Sequence, residues 1–220
     1  MASIIYSPIV DAIRGKAGSA VFVQGRTGPV LKPRVKPANP KTAAQQAVKG
    51  YLGNSSKGYK NLTTANVALW KAYGQSVTKH NQRTGKAYTQ TGINAFNSIS
   101  AKFYQINPTG NFPATPPAAA FTGDTITVTA AGGASSVIFT GSAADSANIR
   151  TEFLLQPLKS KNRTPASKGY KSKGFIAFAA GALSATTFVP SGWYVPAYRF
   201  VNALTGQATA LTILAPVQAT

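Results

Sequence analysis

The chain has 220 residues and a mass of 22.9 kDa, and 44% of the residues are apolar, which suits one ordinary domain or two small ones with a packed core. Charged residues make up only 12%, and 23 Lys and Arg against four acidic residues give a formal charge of +19. Cysteine is absent, which excludes thiol nucleophiles, disulfides and cysteine-bound metals. His80 is the one histidine. We therefore expect no catalytic residues, no metal site and no cofactor.

The N-terminal segment predicts a strand followed by a β-hairpin. An apolar run at residues 4–10 is strand-like. Two β-branched runs, Ala20–Val23 and Val30–Val35, flank Gly25-Arg26-Thr27-Gly28, whose glycines can adopt positive φ. The second run is expected at a sheet edge or in an extended arm, because three of its residues lack an amide proton: Pro29, Pro33 and Pro37.

Three amphipathic patterns then predict a small three-helix bundle. The first covers residues 40–52 and is expected to end at Gly53 and Asn54. The second begins at Thr63 or Thr64, both good N-caps, and runs to about Thr78, which places His80 near a helix end. The third follows Thr91-Gly92 and has an apolar face that consists of Ile93, Phe96, Ile99 and Phe103.

A proline-rich, uncharged stretch at residues 107–119 predicts an extended linker between two domains, 1–110 and 111–220. The first domain carries 15 Lys and Arg residues and one acidic residue, and the second carries eight Lys and Arg residues and three acidic residues. Seven short alternating runs follow, at 125–130, 136–141, 151–158, 174–180, 185–190, 193–203 and 210–217. The fold class is therefore α+β, with a hairpin or extended arm and three helices before a seven-stranded antiparallel β-sandwich.

The run at 193–203 resembles the F-strand of fibronectin type III domains. It reads Tyr194-x-Pro196-x-Tyr198-x-Phe200-x-Asn202 and precedes Gly206, and the segment Pro113–Pro117 with Ile126 and Val128 is similar to the proline-led first strands of that family. The resemblance covers residues 113–218 and implies a fibronectin III/Ig-like sandwich used for adhesion or spacing, with Tyr194 at the tyrosine corner. Pro196 within the strand and the lack of a core tryptophan depart from the family pattern.

The N-terminal half is similar to uncharacterised structural proteins of phages and mobile elements. The pattern is G-x-x-G…R-x-G-x-V…K-P…N-P-x-T-A-x-Q. This similarity implies a structural protein of a virion.

Two groups of basic residues are the candidate polyanion-binding sites. The N-terminal cluster consists of Arg14, Lys16, Arg26, Lys32, Arg34, Lys36 and Lys41. The loop cluster lies between two predicted strands and consists of Lys159, Lys161, Arg163, Lys168, Lys171 and Lys173. Nucleic acid is the commonest partner of such a positive field, and without a base-reading motif the contacts are expected to go to the backbone. Charge matching to an acidic neighbour in an assembly, or plain solubility, are the alternatives.

The sequence thus predicts a non-enzymatic structural protein of a virion or filament that self-associates and contacts nucleic acid or another polyanion. The alternatives are a soluble, sequence-nonspecific DNA- or RNA-binding protein and an extracellular adhesive filament subunit. We expect a virion or cytoplasmic location, no small-molecule substrate and no membrane contact. No run approaches the roughly 20 apolar residues of a membrane helix, and the N-terminus lacks the basic region of a signal peptide.

Overall fold

The structure is a computed structural model that describes residues 2–3, 15–25, 28–35, 41–80, 85–166 and 169–220. In these ranges it has three helices and several antiparallel sheets, which confirms the α+β class. By their contacts the residues form two compact units, Met1–Ala43 and Ala44–Thr220. The division at residues 110 and 111 stays a prediction, and the predicted strand at 4–10 lies outside the described residues.

The first unit contains a four-stranded antiparallel sheet in the order β1-β4-β3-β2, from β1 (Ala2–Ser3), β2 (Gly15–Ala17), β3 (Ala20–Gly25) and β4 (Gly28–Pro33). The predicted hairpin is confirmed, because β3 and β4 pair along their whole length, and Gly28 at the start of β4 takes a positive φ of 119°, which favours glycine. The predicted edge position of β4 is wrong. β1 pairs with Val30 and Leu31, which lie between the two prolines and keep their amide protons.

The second unit begins with three helices and a short hairpin: α1 (Ala43–Lys60), α2 (Thr64–Ser76), β5 (Thr78–His80), β6 (Ala87–Thr89) and α3 (Gly92–Ile106). The predicted positions of α2 and α3 are confirmed, but α2 ends two residues before the predicted Thr78, and Ile93 of the predicted apolar face of α3 is exposed. Thr63 and Thr91 are the N-caps, and their hydroxyls accept hydrogen bonds from the amides of Asn66 and Asn94. The placement of His80 at a helix end is wrong, since α2 ends at Ser76 and His80 belongs to β5.

The first helix continues past the predicted stop at Gly53 and Asn54 to Lys60. Its second half packs against α3. The Ser55 hydroxyl is buried, donates to Asn97 Oδ1 at 2.6 Å and shares a hydrogen bond with Ser100. The Tyr59 ring meets Phe96 edge-on at 5.4 Å. These contacts with a helix that is distant in the sequence outweigh the local preference to end α1 at Gly53.

A cluster of aromatic side chains surrounds Trp70, which is completely buried. Phe96 packs edge-on against the Trp70 ring at 5.0 Å, and Phe112 contacts both rings. The indole nitrogen of Trp70 donates to the carbonyl of Ala114 at 2.8 Å. The proline-rich stretch at 107–119 is therefore anchored on the helices over part of its length.

The remaining strands are β7 (Val128–Gly133), β8 (Ser136–Gly141), β9 (Ile149–Leu158), β10 (Lys171–Ile176), β11 (Ser184–Phe188), β12 (Gly192–Asn202), β13 (Thr212–Ile213) and β14 (Val217–Ala219). They form a larger sheet, β10-β9-β12-β13 with β14 also paired to β12, and a smaller sheet, β11-β8-β7. Buried side chains of both sheets share one apolar core, in which Phe139 of β8 stacks on Phe153 of β9 at 4.3 Å.

The last predicted run, 210–217, contains β13 and only the first residue of β14, and Pro196 explains the break between these two short strands. β13 pairs with Ala197 and Tyr198, whereas β14 pairs with Gly192–Tyr194. The segment between these pairings faces Pro196, which has no amide proton to donate and only accepts a hydrogen bond, from Leu214 at 2.9 Å. On its other side, β12 pairs with β9 from Trp193 to Asn202.

Candidate polyanion-binding surface

The loop cluster lies on the connection between β9 and β10 and on the start of β10. The prediction that the whole cluster lies in a loop is wrong for Lys171 and Lys173, because β10 begins at Lys171 and pairs with β9 from there. Lys159, Lys161 and Arg163 follow the end of β9 directly, and all three are exposed. Lys171 and Lys173 stand exposed at the start of β10, which pairs back onto β9. The structure thus places five of the six predicted cations on one hairpin, and Lys168 lies outside the described residues.

The base of this connection is fixed to the sheet while its charged tip is exposed. With its amide nitrogen towards the Ala166 carbonyl, the Gln156 side chain makes two hydrogen bonds of 2.8 Å to the backbone of Ala166. Gly169 approaches the same side chain so closely that a Cβ at this position would overlap it. Lys161 Nζ lies 5.8 Å from the centre of the Trp193 ring, a cation–π distance. The hairpin therefore holds its cations on a defined surface.

No described acid neutralises the loop cluster. Asp124 accepts hydrogen bonds from Thr125 and Ser146, and Asp145 accepts from Thr151 and Phe178. Glu152 is buried and ion-paired elsewhere. Within the described part of residues 44–220, the only ion pairs are those of Glu152 with Lys102 and Arg199, so the five loop cations have no internal counter-charge.

In the N-terminal cluster, the sheet brings Lys16 and Lys32 onto one face. Both residues are in register with Val21 of the central strand β3, one from each side, and directly opposed residues share a face. Arg34 is exposed after β4, and its amide donates to the Ser19 carbonyl at 2.7 Å. Lys41 is exposed, with φ at 48°. Three members lie outside the described residues: Arg14, Arg26 and Lys36.

An ion-paired group surrounds Glu152 and was not predicted from the sequence. Lys102 Nζ of α3 lies 2.7 Å from Glu152 Oε1, and Arg199 Nε of β12 lies 2.6 Å from Oε2. Burial by itself raises the pKa of Glu152, but the hydrogen bond from Arg199 and the charge of Lys102 outweigh it and hold that pKa below its ordinary value. A glutamate within an apolar strand run requires a partner, and this was the available sequence signal.

No known protein-family model matches the chain, and no curated protein matches its sequence. Across the ranges that the structure describes, no helix combines the length and the hydrophobicity needed to cross a bilayer. In the same ranges, no three His, Asp or Glu side chains are grouped so that they could hold a metal ion.

Proposed function

We propose that the chain is a non-enzymatic structural protein of a virion or filament, which self-associates and binds nucleic acid or another polyanion through its basic surface. The observation that carries the proposal is the loop cluster. Five exposed cations stand on one hairpin with no acidic partner among the described residues of their unit. Such a surface lowers its electrostatic free energy by taking up an external polyanion and releasing that polyanion's counterions.

The loop cluster favours contact with phosphates over the reading of bases. Its side chains are lysines and an arginine, separated by small polar residues such as Ser160, Asn162 and Thr164 that can donate to phosphate oxygens. The described loop contains no helix that could enter a groove. Binding is therefore expected to follow the backbone charge and to vary little with sequence.

Fluorescence anisotropy with two 30-base-pair DNA duplexes of unrelated sequence tests the proposal. We expect dissociation constants of about 1–100 μM near physiological salt, equal for the two duplexes within about threefold, as for nonspecific backbone contact. A single-stranded RNA of the same charge should also bind. Failure to bind any of these probes at low salt would remove the polyanion from the proposal, and a strong preference for one duplex would contradict backbone contact.

The smaller sheet is the proposed surface for self-association with a second copy. On a chain of charge +19, two copies repel each other wherever their cations face. No charged residue occurs at 125–144 or 174–198, which include all three strands of this sheet. β11 is at its edge, and no described strand pairs with the free side of β11. Phe188 at its end is 81% exposed. An uncharged free edge can pair with the same edge of another copy.

A charge on this edge is expected to weaken self-association. Thr186 of β11 points outward and is exposed, so we expect Thr186→Lys to raise the dissociation constant of the oligomer at least about tenfold, a change of about 1.4 kcal/mol. Sedimentation velocity over a concentration series measures it. Thr212→Lys, an exposed position in β13, is the matched control and should leave the constant unchanged. A wild-type protein that stays monomeric at every concentration would refute the proposal for this surface.

We further propose that the two sheets form a fibronectin III-like sandwich, with a small three-helix bundle preceding it. Two observations support the sandwich. The Tyr194 hydroxyl donates to the carbonyl of Pro190, four residues upstream, at 2.9 Å, as a tyrosine corner does. If β13 and β14 are one strand interrupted opposite Pro196, the two sheets contain seven strands. The contacts of α3 with α1 and α2 support the bundle.

A further inference from the structure

A cleft of about 390 Å³ lies within the second unit, between the helices and the larger sheet. One wall comes from the end of α2 and from β5, the second from α3, and the third from β12 and residues 206–209. Each wall contributes one cation to the lining: Lys79 of β5, Lys102 of α3 and Arg199 of β12. The cleft is therefore distinct from the loop cluster and shares no residue with it.

The cations that line the cleft outnumber the acids beside them. Glu152 carries one negative charge, and its two oxygens are bound by Lys102 and Arg199. This arrangement leaves an excess of one positive charge. Lys79 is half-buried and has no acidic partner among the described residues, so the cleft has an excess of two positive charges in total.

This excess charge is placed where water screens it poorly. The side chains of Lys102 and Arg199 retain only 18% and 25% of their full exposure. An uncompensated charge in such a setting is unfavourable, and a bound anion relieves it. Burial lowers the pKa of Lys102, and Glu152 offsets only part of the shift, which fits an amine that lacks a full counter-charge.

The other residues of the cleft suit the rest of an anionic ligand. The lining includes the polar residues Gln90, Gln207 and Thr209 and the aromatic residues Tyr73 and Phe121. The Gln207 amide is held in place, because its nitrogen donates to the Ala119 carbonyl at 3.0 Å and its oxygen accepts from the Thr205 hydroxyl at 3.1 Å. A few fixed polar groups among apolar walls are typical of small-ligand sites.

We propose that this cleft binds a phosphate group, held by Lys79 and by the guanidinium nitrogens of Arg199 that are not bonded to Glu152. A phosphate dianion matches the two excess charges, and the planar guanidinium offers it two donors. The phosphate is either free or the ester of a small molecule such as a nucleotide, whose apolar part would lie on Tyr73 and Phe121. This proposal goes beyond the proposed function and does not depend on it.

Isothermal titration with inorganic phosphate and with adenosine monophosphate, at constant ionic strength in chloride, tests the site. We expect saturable binding with a dissociation constant in the millimolar range or tighter. Lys79→Gln should weaken it at least about fivefold, while Lys86→Gln, an exposed lysine of the same hairpin outside the cleft, should leave it unchanged. Tighter binding of adenosine monophosphate would identify a phosphate ester as the ligand, and equal binding would identify free phosphate. Either result supports the proposal.

Amide chemical shifts of the wild-type protein locate the bound phosphate without any substitution. We expect phosphate to shift the amide signals of Ile99 and of residues 206–209, which line the cleft. The proposal is overturned if phosphate does not bind, if Lys79→Gln binds it as the wild type does, or if the shifts are confined to residues 159–173.

Discussion

Replacing Glu152 with glutamine is expected to lower the free energy of unfolding by about 3–5 kcal/mol, the loss typical of a buried ion pair deprived of one partner. The substitution leaves the amine of Lys102 and the guanidinium of Arg199 partly buried with no opposite charge between them. The two cations come from α3 and β12, so their repulsion acts directly on the contact between helix and sheet. Urea denaturation at pH 7 measures the change.

The effect of Glu152→Gln should depend on pH in a defined direction. The pKa of Glu152 is held below its ordinary value of 4.5, so its stabilising contribution is present above pH 4.5 and is lost as the pH falls through the lower folded-state pKa. The difference between wild type and variant should therefore shrink on acidification. Asp145, whose pKa is raised by burial, has the opposite pH dependence but is common to both proteins.

Asp124→Asn is the control for Glu152→Gln. Asp124 lies nearer the surface and accepts hydrogen bonds from Ser146 and Thr125 without an ion pair, so we expect a loss of about 1 kcal/mol. A loss below about 1 kcal/mol for Glu152→Gln, or a difference that persists unchanged in acid, would contradict the role given to the buried ion pairs.

Neutralising the loop cluster should cause the largest loss of polyanion binding. The variant replaces five described cations with glutamine: Lys159, Lys161, Arg163, Lys171 and Lys173. Each phosphate contact contributes up to about eightfold to the binding constant near 0.1 M salt, so we expect a loss of at least about a hundredfold even if other cations partly compensate. Fluorescence anisotropy with the 30-base-pair duplexes measures it, and circular dichroism checks that the variant is folded.

A matched variant separates the loop cluster from the net charge of the chain. It replaces five exposed lysines elsewhere in the same unit with glutamine: Lys49, Lys57, Lys60, Lys71 and Lys86. The change in formal charge is the same, so a local site predicts a loss of less than about tenfold for this control. Equal losses for the two variants would mean that only the overall positive field binds the polyanion.

The sequence predicted the elements whose signals are local. Thr63 and Thr91 each precede an apolar stripe at helical spacing, and the helices α2 and α3 begin there. β8 coincides with the predicted run 136–141, because alternation with a period of two is read directly from neighbouring residues. The end of α1 was missed since it depends on Ser55 meeting Asn97 and Ser100, which are 42 and 45 residues away.

The candidate sites also differ in whether their residues are close together in the sequence or far apart. The loop cluster could be identified from the sequence because its cations are close together between two strand patterns. The ion pairs of Glu152 could not, since Lys102 and Arg199 lie 50 and 47 residues from it on either side. The cleft depends on the same long-range link between α3 and β12 through Glu152, which no short pattern encodes.

The salt dependence of duplex binding tests most directly whether this chain acts by neutralising a polyanion. Five phosphate contacts predict a slope of about −4 to −5 for the logarithm of the binding constant against the logarithm of salt concentration, and the loop variant should give a much shallower slope. A wild-type binding constant that stays constant between about 50 and 200 mM salt would contradict this function.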